Sequence, residues 1–309
     1  MWVKSWSLRL HRWIALISAL PLLGVVLTGL VLSFEPIAVT GAIKPGSLSI
    51  ERTLGFLATH DPSNTARSLS IRSYDGVFAF SDSDGERTDI NLVTGDKIAD
   101  GTFLWADIFG FARGAHETLL FEEGWLVEAS TWAMLILAPI GLLMGFARPR
   151  NTPGGWHKVS AWVFLPLLVL SPVTGLMIAY GVTFTTPPQG PRPQPISLVE
   201  AVKIIGSEKD LSTLVWLRTR GGRLVARVVE DGEYRVYGVS AAGLQATQRN
   251  WPRLLHEGNW GGAFSGWLNV ALSAVILMLM GTGLWIWGKR KLRVRRPRQR
   301  ASAQIQPAE

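Results

Sequence analysis

Four apolar runs, roughly residues 13–34, 125–147, 159–181 and 266–288, constrain this chain of 309 residues more than any motif in it. Each is long enough to cross a hydrocarbon layer, which takes about 20 residues of helix. Within such a layer every backbone N–H and carbonyl needs an internal partner, so each run is expected to be a helix. Pro21, Pro139, Pro166 and Pro172 fall inside the runs. Membrane helices tolerate proline where neighbouring helices satisfy the freed carbonyls. Basic residues precede the first run, as in a signal peptide, but no small-residue cleavage site follows Phe34, so that run is expected to remain as a helix.

The basic residues give an orientation. Lys4, Arg9 and Arg12 precede the first run, and Arg148, Arg150 and Lys158 lie between the second and third. Lys289, Arg290, Lys291, Arg293, Arg295, Arg296, Arg298 and Arg300 follow the fourth. With four spans these three groups share one side, which the positive-inside rule makes cytoplasmic. Segment 35–124, with 14 acidic and 7 basic residues, shows no such bias. The net charge of +8 therefore reads as membrane orientation and contact with anionic lipid, and no nucleic acid is expected.

The two outer segments share a pattern. The first has an apolar helical stretch, Leu48 to Leu57, then alternating strands Ser68–Ser73, Val77–Ser81 and Thr88–Leu92. The second, entered through Pro187, Pro188, Pro191, Pro193 and Pro195, has a helix Val199 to Ile205 and strands Leu214–Arg218, Leu224–Val229 and Tyr234–Val239. The predicted fold is an α-helical four-helix transmembrane bundle carrying two small outer α+β domains. The chain divides into 1–34 (N-terminus and first span), 35–124 (outer domain one), 125–181 (second and third spans with their loop), 182–265 (outer domain two) and 266–309 (fourth span and basic tail). Span, small domain, span occurs twice, a tandem repeat with a pseudo-twofold axis along the membrane normal.

Histidine is the residue that anchoring does not explain. His11 and His157 open the first and third spans, each followed 17 residues later by Thr-Gly (Thr28-Gly29, Thr174-Gly175). His116 and His256 precede the second and fourth spans on the outer side. Pseudo-symmetry pairs His11 with His157 and His116 with His256. Two neutral imidazoles facing each other at a membrane border suit the axial positions of a haem iron, and two such ligands favour electron transfer because no position stays open. Two haem b groups are expected. Zinc fits less well, since a two-histidine site lacks the further ligands it takes. His60, at a helix-end turn, reads as surface. The Thr-Gly pairs read as small-residue helix contacts ahead of a cofactor role, and Arg218, Arg220, Arg223 and Arg227 as a solvated strand face ahead of a patch that attracts an anionic substrate.

The sequence has no cysteine, which excludes disulfides, covalent c-type haem and iron–sulfur clusters. It also has no dinucleotide, Walker, GxSxG or HExxH motif. Electrons would then come from a quinol or from a redox protein.

Leu10-His11-Arg12-Trp13 with Leu20-Pro21 and Thr28-Gly29 resembles the first helix of the PepSY-associated transmembrane proteins. Ala115-His116-Glu117 with Gly124-Trp125-Leu126-Val127, and Leu255-His256 with Gly261-Gly262 and Gly283-Leu284-Trp285, extend the resemblance over nearly the whole chain. It implies a bacterial inner-membrane protein with PepSY-like domains in the periplasm and both termini in the cytoplasm. It also implies, as in some members, a haem-dependent reductase of ferric siderophores that holds iron through His11, His116, His157 and His256. Because PepSY modules resemble protease propeptide inhibitors, a non-enzymatic membrane regulator or accessory subunit is the alternative. A transporter is the weaker third reading, since Glu128 and the border histidines are the only ionisable groups in the spans.

Overall fold

The computed structural model of the chain describes residues 2–102, 104–119, 124–145, 149–186 and 193–294. Arg148, Pro187, Pro188, Pro191, Arg295, Arg296, Arg298 and Arg300 lie outside the described residues. In chain order the first half comprises α1 (Trp2–Leu32), α2 (Phe34–Ala42), α3 (Ile50–His60), β1 (Ser68–Arg72), β2 (Val77–Ser81), β3 (Arg87–Asn91), α4 (Trp105–Thr118) and α5 (Gly124–Leu143). The second half comprises α6 (Pro153–Val163), α7 (Leu165–Ala179), α8 (Leu198–Glu208), β4 (Leu214–Arg220), β5 (Arg223–Glu230), β6 (Glu233–Ser240), β7 (Gly243–Ala246), α9 (Trp251–Glu257) and α10 (Gly262–Val294).

Among the described residues three stretches are long and apolar enough to cross a membrane: Lys4–Ala42, Gly124–Leu143 and Gly262–Leu292. A fourth exists if α6 and α7, bent by 64° at their junction, count as one broken span. The sequence predicts a continuous third helix, and Pro166 accounts for the bend. It has no N–H to give the Trp162 carbonyl, and its ring crowds that carbonyl. α1 packs against α5 and α10, α7 against α5, and α6 against α10. Leu22, Val26, Leu168, Leu272 and Ile276 fill the space between them.

The sheet corrects a sequence expectation. Two separate outer domains, 35–124 and 182–265, are predicted, but their strands join in one antiparallel sheet of order β3-β2-β1-β4-β5-β6-β7. The joint is β1 with β4, where Ser68, Leu69 and Ser70 pair with Arg218, Leu217 and Trp216. A free three-stranded unit would leave β1 or β4 as an open edge with unpaired backbone groups. Pairing the two edges removes both and merges two thin cores into one. Leu69, Phe78 and Ile90 from the first half and Leu217, Ala226 and Val228 from the second share that core with Phe56, Leu57, Val202 and Ile205. α3 and α8 cover this face. They begin at Ser49 and Ser197, whose hydroxyls accept from the backbone N–H of Arg52 and Glu200. The two helices meet so closely that a Cβ on Gly206 would lie 2.4 Å from Cγ1 of Ile50. β7 is too short and polar to stand out in the sequence.

The sheet also ties down the short helices α4 and α9 that carry His116 and His256. The Asp75 carboxylate, in the β1–β2 turn, accepts from the backbone N–H of Trp105 (2.8 Å) and Ala106 (3.0 Å) at the start of α4. Tyr234 N–H donates to the Asn259 carbonyl just after α9 (2.9 Å), and Gly262 N–H to the Gly232 carbonyl (2.6 Å). Only glycine suits position 232: φ is +78°, and a Cβ would sit 2.7 Å from the Gly262 nitrogen.

Leu217 is fully buried at the joint between the halves. Leu217→Ala is expected to destabilise the outer domain by about 2–5 kcal/mol. In hydrogen-exchange measurements it should lower amide protection in β1 and β2 together with β4 and β5. Loss confined to the second half would mean two independent domains.

Candidate functional site

The structure brings the four border histidines together in the pairs that the sequence pattern predicts. The rings of His116 (α4) and His256 (α9) have centroids 6.1 Å apart and planes inclined by 45°. Those of His11 (α1) and His157 (α6) are 6.5 Å apart at 84°. His60 ends α3 and donates from Nε2 to the Gly95 carbonyl at 2.8 Å, away from both pairs.

Each outer ring rests on a neighbouring helix, and the seats are built alike. His116 Nδ1 lies 3.0 Å from the Val25 carbonyl and 3.2 Å from Thr28 Oγ1 on α1. His256 Nδ1 lies 3.1 Å from the Ser171 carbonyl and 3.3 Å from Thr174 Oγ1 on α7. The glycine after each threonine makes room for the ring. A Cβ on Gly29 would stand 3.1 Å from His116 Cε1, and one on Gly175 would stand 3.0 Å from His256 Cε1. The Thr-Gly pairs are therefore histidine seats, a role that the small-residue reading misses.

These contacts fix the tautomer. A backbone carbonyl only accepts, so Nδ1 carries the hydrogen and donates it. Thr28 and Thr174 already give their own hydroxyl hydrogens to the Gly24 and Leu170 carbonyls, each at 2.8 Å, so their oxygens are also left to accept. Nε2 then holds the lone pair, the form in which imidazole binds a metal. Burial, then the neighbouring His256, pushes the His116 pKa down to about 4, and burial lowers that of His256, so both rings are neutral at physiological pH.

The inner pair is less even. His157 Nδ1 lies 2.9 Å from Thr282 Oγ1 on α10, and Thr282 gives its hydrogen to the Met278 carbonyl at 2.7 Å. His157 is thus another Nδ1–H donor. His11 faces α5, where Ile140 occupies the position corresponding to Thr282, and its buried Nδ1 closes no hydrogen bond of normal geometry.

The separations compare with those of two imidazoles that would share one metal ion. With a metal–nitrogen bond of about 2.0 Å and roughly 1.1 Å from ring nitrogen to ring centre, two such rings on opposite sides of the ion would have centres about 6.2 Å apart. Both separations lie close to that. Among the described residues no group of three or more histidines and carboxylates gathers around a common point.

Charged residues repeat around the outer pair. Arg113 and Arg253 stand one helical turn before His116 and His256, and Glu117 and Glu257 follow directly, so Arg-x-x-His-Glu occurs twice. Arg113 pairs with Glu35 at the start of α2, and Arg253 with Glu257 at 2.8 Å. The duplication was visible in the sequence at those five-residue windows. What it surrounds became visible only when α4 and α9 were placed side by side.

No curated protein matched this sequence. A family profile described as the PepSY-associated TM region matches residues 8–290, a span that holds all four paired histidines. With its long apolar helices, the match makes this a membrane protein with an appended antiparallel sheet domain, and the chain belongs to the PepSY-associated TM region family.

Proposed function

We propose that this protein is a di-haem b-type reductase of the bacterial inner membrane. It passes electrons across the bilayer to reduce a ferric siderophore or similar ferric complex in the periplasm and release ferrous iron. The observation that carries this reading is the occurrence of two histidine pairs, each at the separation of two axial ligands, at the two ends of one set of membrane helices. In this reading the helices form a four-helix bundle, the sequence repeat is a pseudo-twofold symmetry, and the sheet end faces the periplasm.

His116 and His256 would hold one haem and His11 and His157 the other, each supplying reversible one-electron chemistry at its iron. The protein's own residues set geometry and basicity. Thr28, Thr174 and Thr282 hold Nδ1–H and leave Nε2 available, while Gly29 and Gly175 keep backbone and ring close. Two histidines on each iron would leave oxygen no open coordination site. No side chain need act as acid or base, because ferrous iron binds hard oxygen donors less tightly than ferric iron does. A quinol or a redox protein would supply the electrons. A purely regulatory role would leave the two Nδ1-anchored outer rings without a task.

The purified protein is expected to be red, with a reducible Soret band and about two haems per chain, as two bis-histidine sites require. A colourless protein from haem-replete cells rules the reading out. His256→Ala should lose the outer haem and ferric-complex reduction while the inner haem stays. Survival of both haems in all four single alanine variants would refute the ligand assignment.

The seats make a separate prediction. Gly175→Val is expected to displace His256 and lower outer-haem occupancy much as His256→Ala does. Gly141→Val, where a Cβ meets nothing within 4 Å, should leave both haems in place. Equal haem content in the two variants, read from the pyridine haemochrome spectrum, would show that the glycine seat does not position the ligand.

A further inference from the structure

The face of the sheet turned toward α9 is basic. Trp216 pairs across the strands with Arg227, Arg218 with Val225, and Arg220 with Arg223, so these residues share one face. Leu217 and Ala226 alternate with them into the core under α3 and α8. Sequence alone suggests a solvated strand face, with attraction of an anionic substrate as the alternative; the structure brings this face within electrostatic reach of Arg253 and Glu257 on α9, the helix that carries His256.

Arg227 is the unusual member. Its guanidinium lies over the Trp216 ring at 4.9 Å and the Tyr234 ring at 5.4 Å. Two aromatic faces fix the plane of the group but use none of its N–H edge. Its Nε is buried without a hydrogen-bond partner. A buried donor left unmade costs about 1–3 kcal/mol, more when charged, so an arginine kept there is explained best by an acceptor from outside the chain.

The surrounding charge has the same sign. Arg218 stacks on the same indole at 4.3 Å, and Arg253 reaches in from α9. Arg218 and Arg253 repel Arg227, and Arg253 also repels Arg218. Two carboxylates act on Arg227, and both are already held: Glu257 by Arg253 at 2.8 Å and by Asn259 Nδ2 at 2.7 Å, and Glu35 by Arg113. Neither of them closes a hydrogen bond with the Arg227 Nε, and Arg253 stands one turn of α9 from His256.

We propose that Arg227, flanked by Arg218 and Arg253, is a binding seat for a carboxylate group next to the outer histidine pair. The edge of a guanidinium takes a carboxylate in two parallel charge-assisted hydrogen bonds, and a plane fixed by stacking is already oriented for them. Two sources bring that chemistry here, a propionate arm of the haem at His116 and His256 or a carboxylate arm of an anionic ferric chelate. Both rest on the proposed function for their meaning, although the seat itself does not.

The test compares wild type with Arg227→Gln and with Arg218→Gln, which changes an exposed residue and so leaves the fold intact. Arg87→Gln, at the far edge of the sheet, is the control. Haem content and midpoint potential are measured without chelate, the KM for ferric citrate is measured against that for an uncharged ferric tris-hydroxamate, and citrate binding is measured by calorimetry. A shifted potential or lost outer haem in Arg227→Gln, with both KM values unchanged, supports the seat with propionate as occupant. A rise of roughly tenfold in KM for ferric citrate alone, the size expected for a lost charged hydrogen bond, supports it with the chelate as occupant. Arg218→Gln should move the same quantity in the same direction by less. If none of these readouts moves in either variant, the seat is overturned. If wild type carries no haem, the proposed function falls, and calorimetry alone judges the seat: citrate binding that Arg227→Gln abolishes upholds it, and no citrate binding to wild type refutes it.

Discussion

A ring nitrogen that gives its hydrogen to a helix backbone does two things at once. At His116 and His256 the Nδ1–H reaches a carbonyl that the helix already uses and a threonine oxygen beside it, next to a glycine that lets the ring come close. The ring is thereby locked in orientation and in tautomer, with the Nε2 lone pair turned away from its seat. Each donor sits on one element and its acceptor on another: α4 on α1, and α9 on α7. The contact that prepares the imidazole is therefore also the contact that docks a short outer helix onto a long apolar one. Without it, two seven- to fourteen-residue helices would be too short to hold their own position, since isolated helices of that length are marginal.

The sheet holds those helices from the other side. Asp75 satisfies the first backbone donors of α4, and Tyr234 and Gly232 grip the turn between α9 and α10. Asn269 adds a bond from α10 to the His256 carbonyl at 2.9 Å. Because β1 and β4 join the two halves of the sheet, Asp75 from one half and Tyr234 from the other belong to one rigid body. The distance between His116 and His256 is then set by a single sheet rather than by two domains free to move apart. This gives the merger of the outer segments a consequence for the site and not only for stability.

The parts that were legible in the sequence were those with local periodicity or repetition. Apolar length marked the spans, alternation with Asp-Gly and Gly-Gly turns marked six of the seven strands, and the repeated histidine spacing marked the two pairs. Three things were not legible. The β1–β4 joint depends on which edges meet, and three residues of register, Ser68 to Ser70, carry no special pattern. The bend at Phe164 could be suspected from Pro166, but Pro21 and Pro139 sit inside α1 and α5 without breaking them, so proline alone did not decide it. The Thr-Gly pairs read as small-residue contacts between helices. Their actual partners are His116 and His256, 88 and 82 residues away from the threonines, a relation that only tertiary structure supplies.

The two ends of the proposed electron path differ in a way the seats make specific. At the outer pair both rings meet a threonine oxygen through Nδ1, while at the inner pair His157 meets Thr282 and His11 has Ile140 in that place. Hydrogen-bond donation from Nδ1 raises ligand basicity and so favours the ferric state. Taken alone, it would place the outer iron at the lower potential and oppose electron flow toward the sheet end. The excess of guanidinium groups on the sheet face acts in the opposite direction, because positive charge near a buried iron favours the ferrous state. Arg253 stands one turn of α9 before His256, while at the inner pair Arg12 and Lys158 directly follow His11 and His157. The low-dielectric setting that depresses the His116 pKa also strengthens the influence of nearby positive charge. In the proposed reading, then, the outer rings are seated to bind iron firmly, and the direction of electron flow rests on the balance between that seating and the positive charge at each pair.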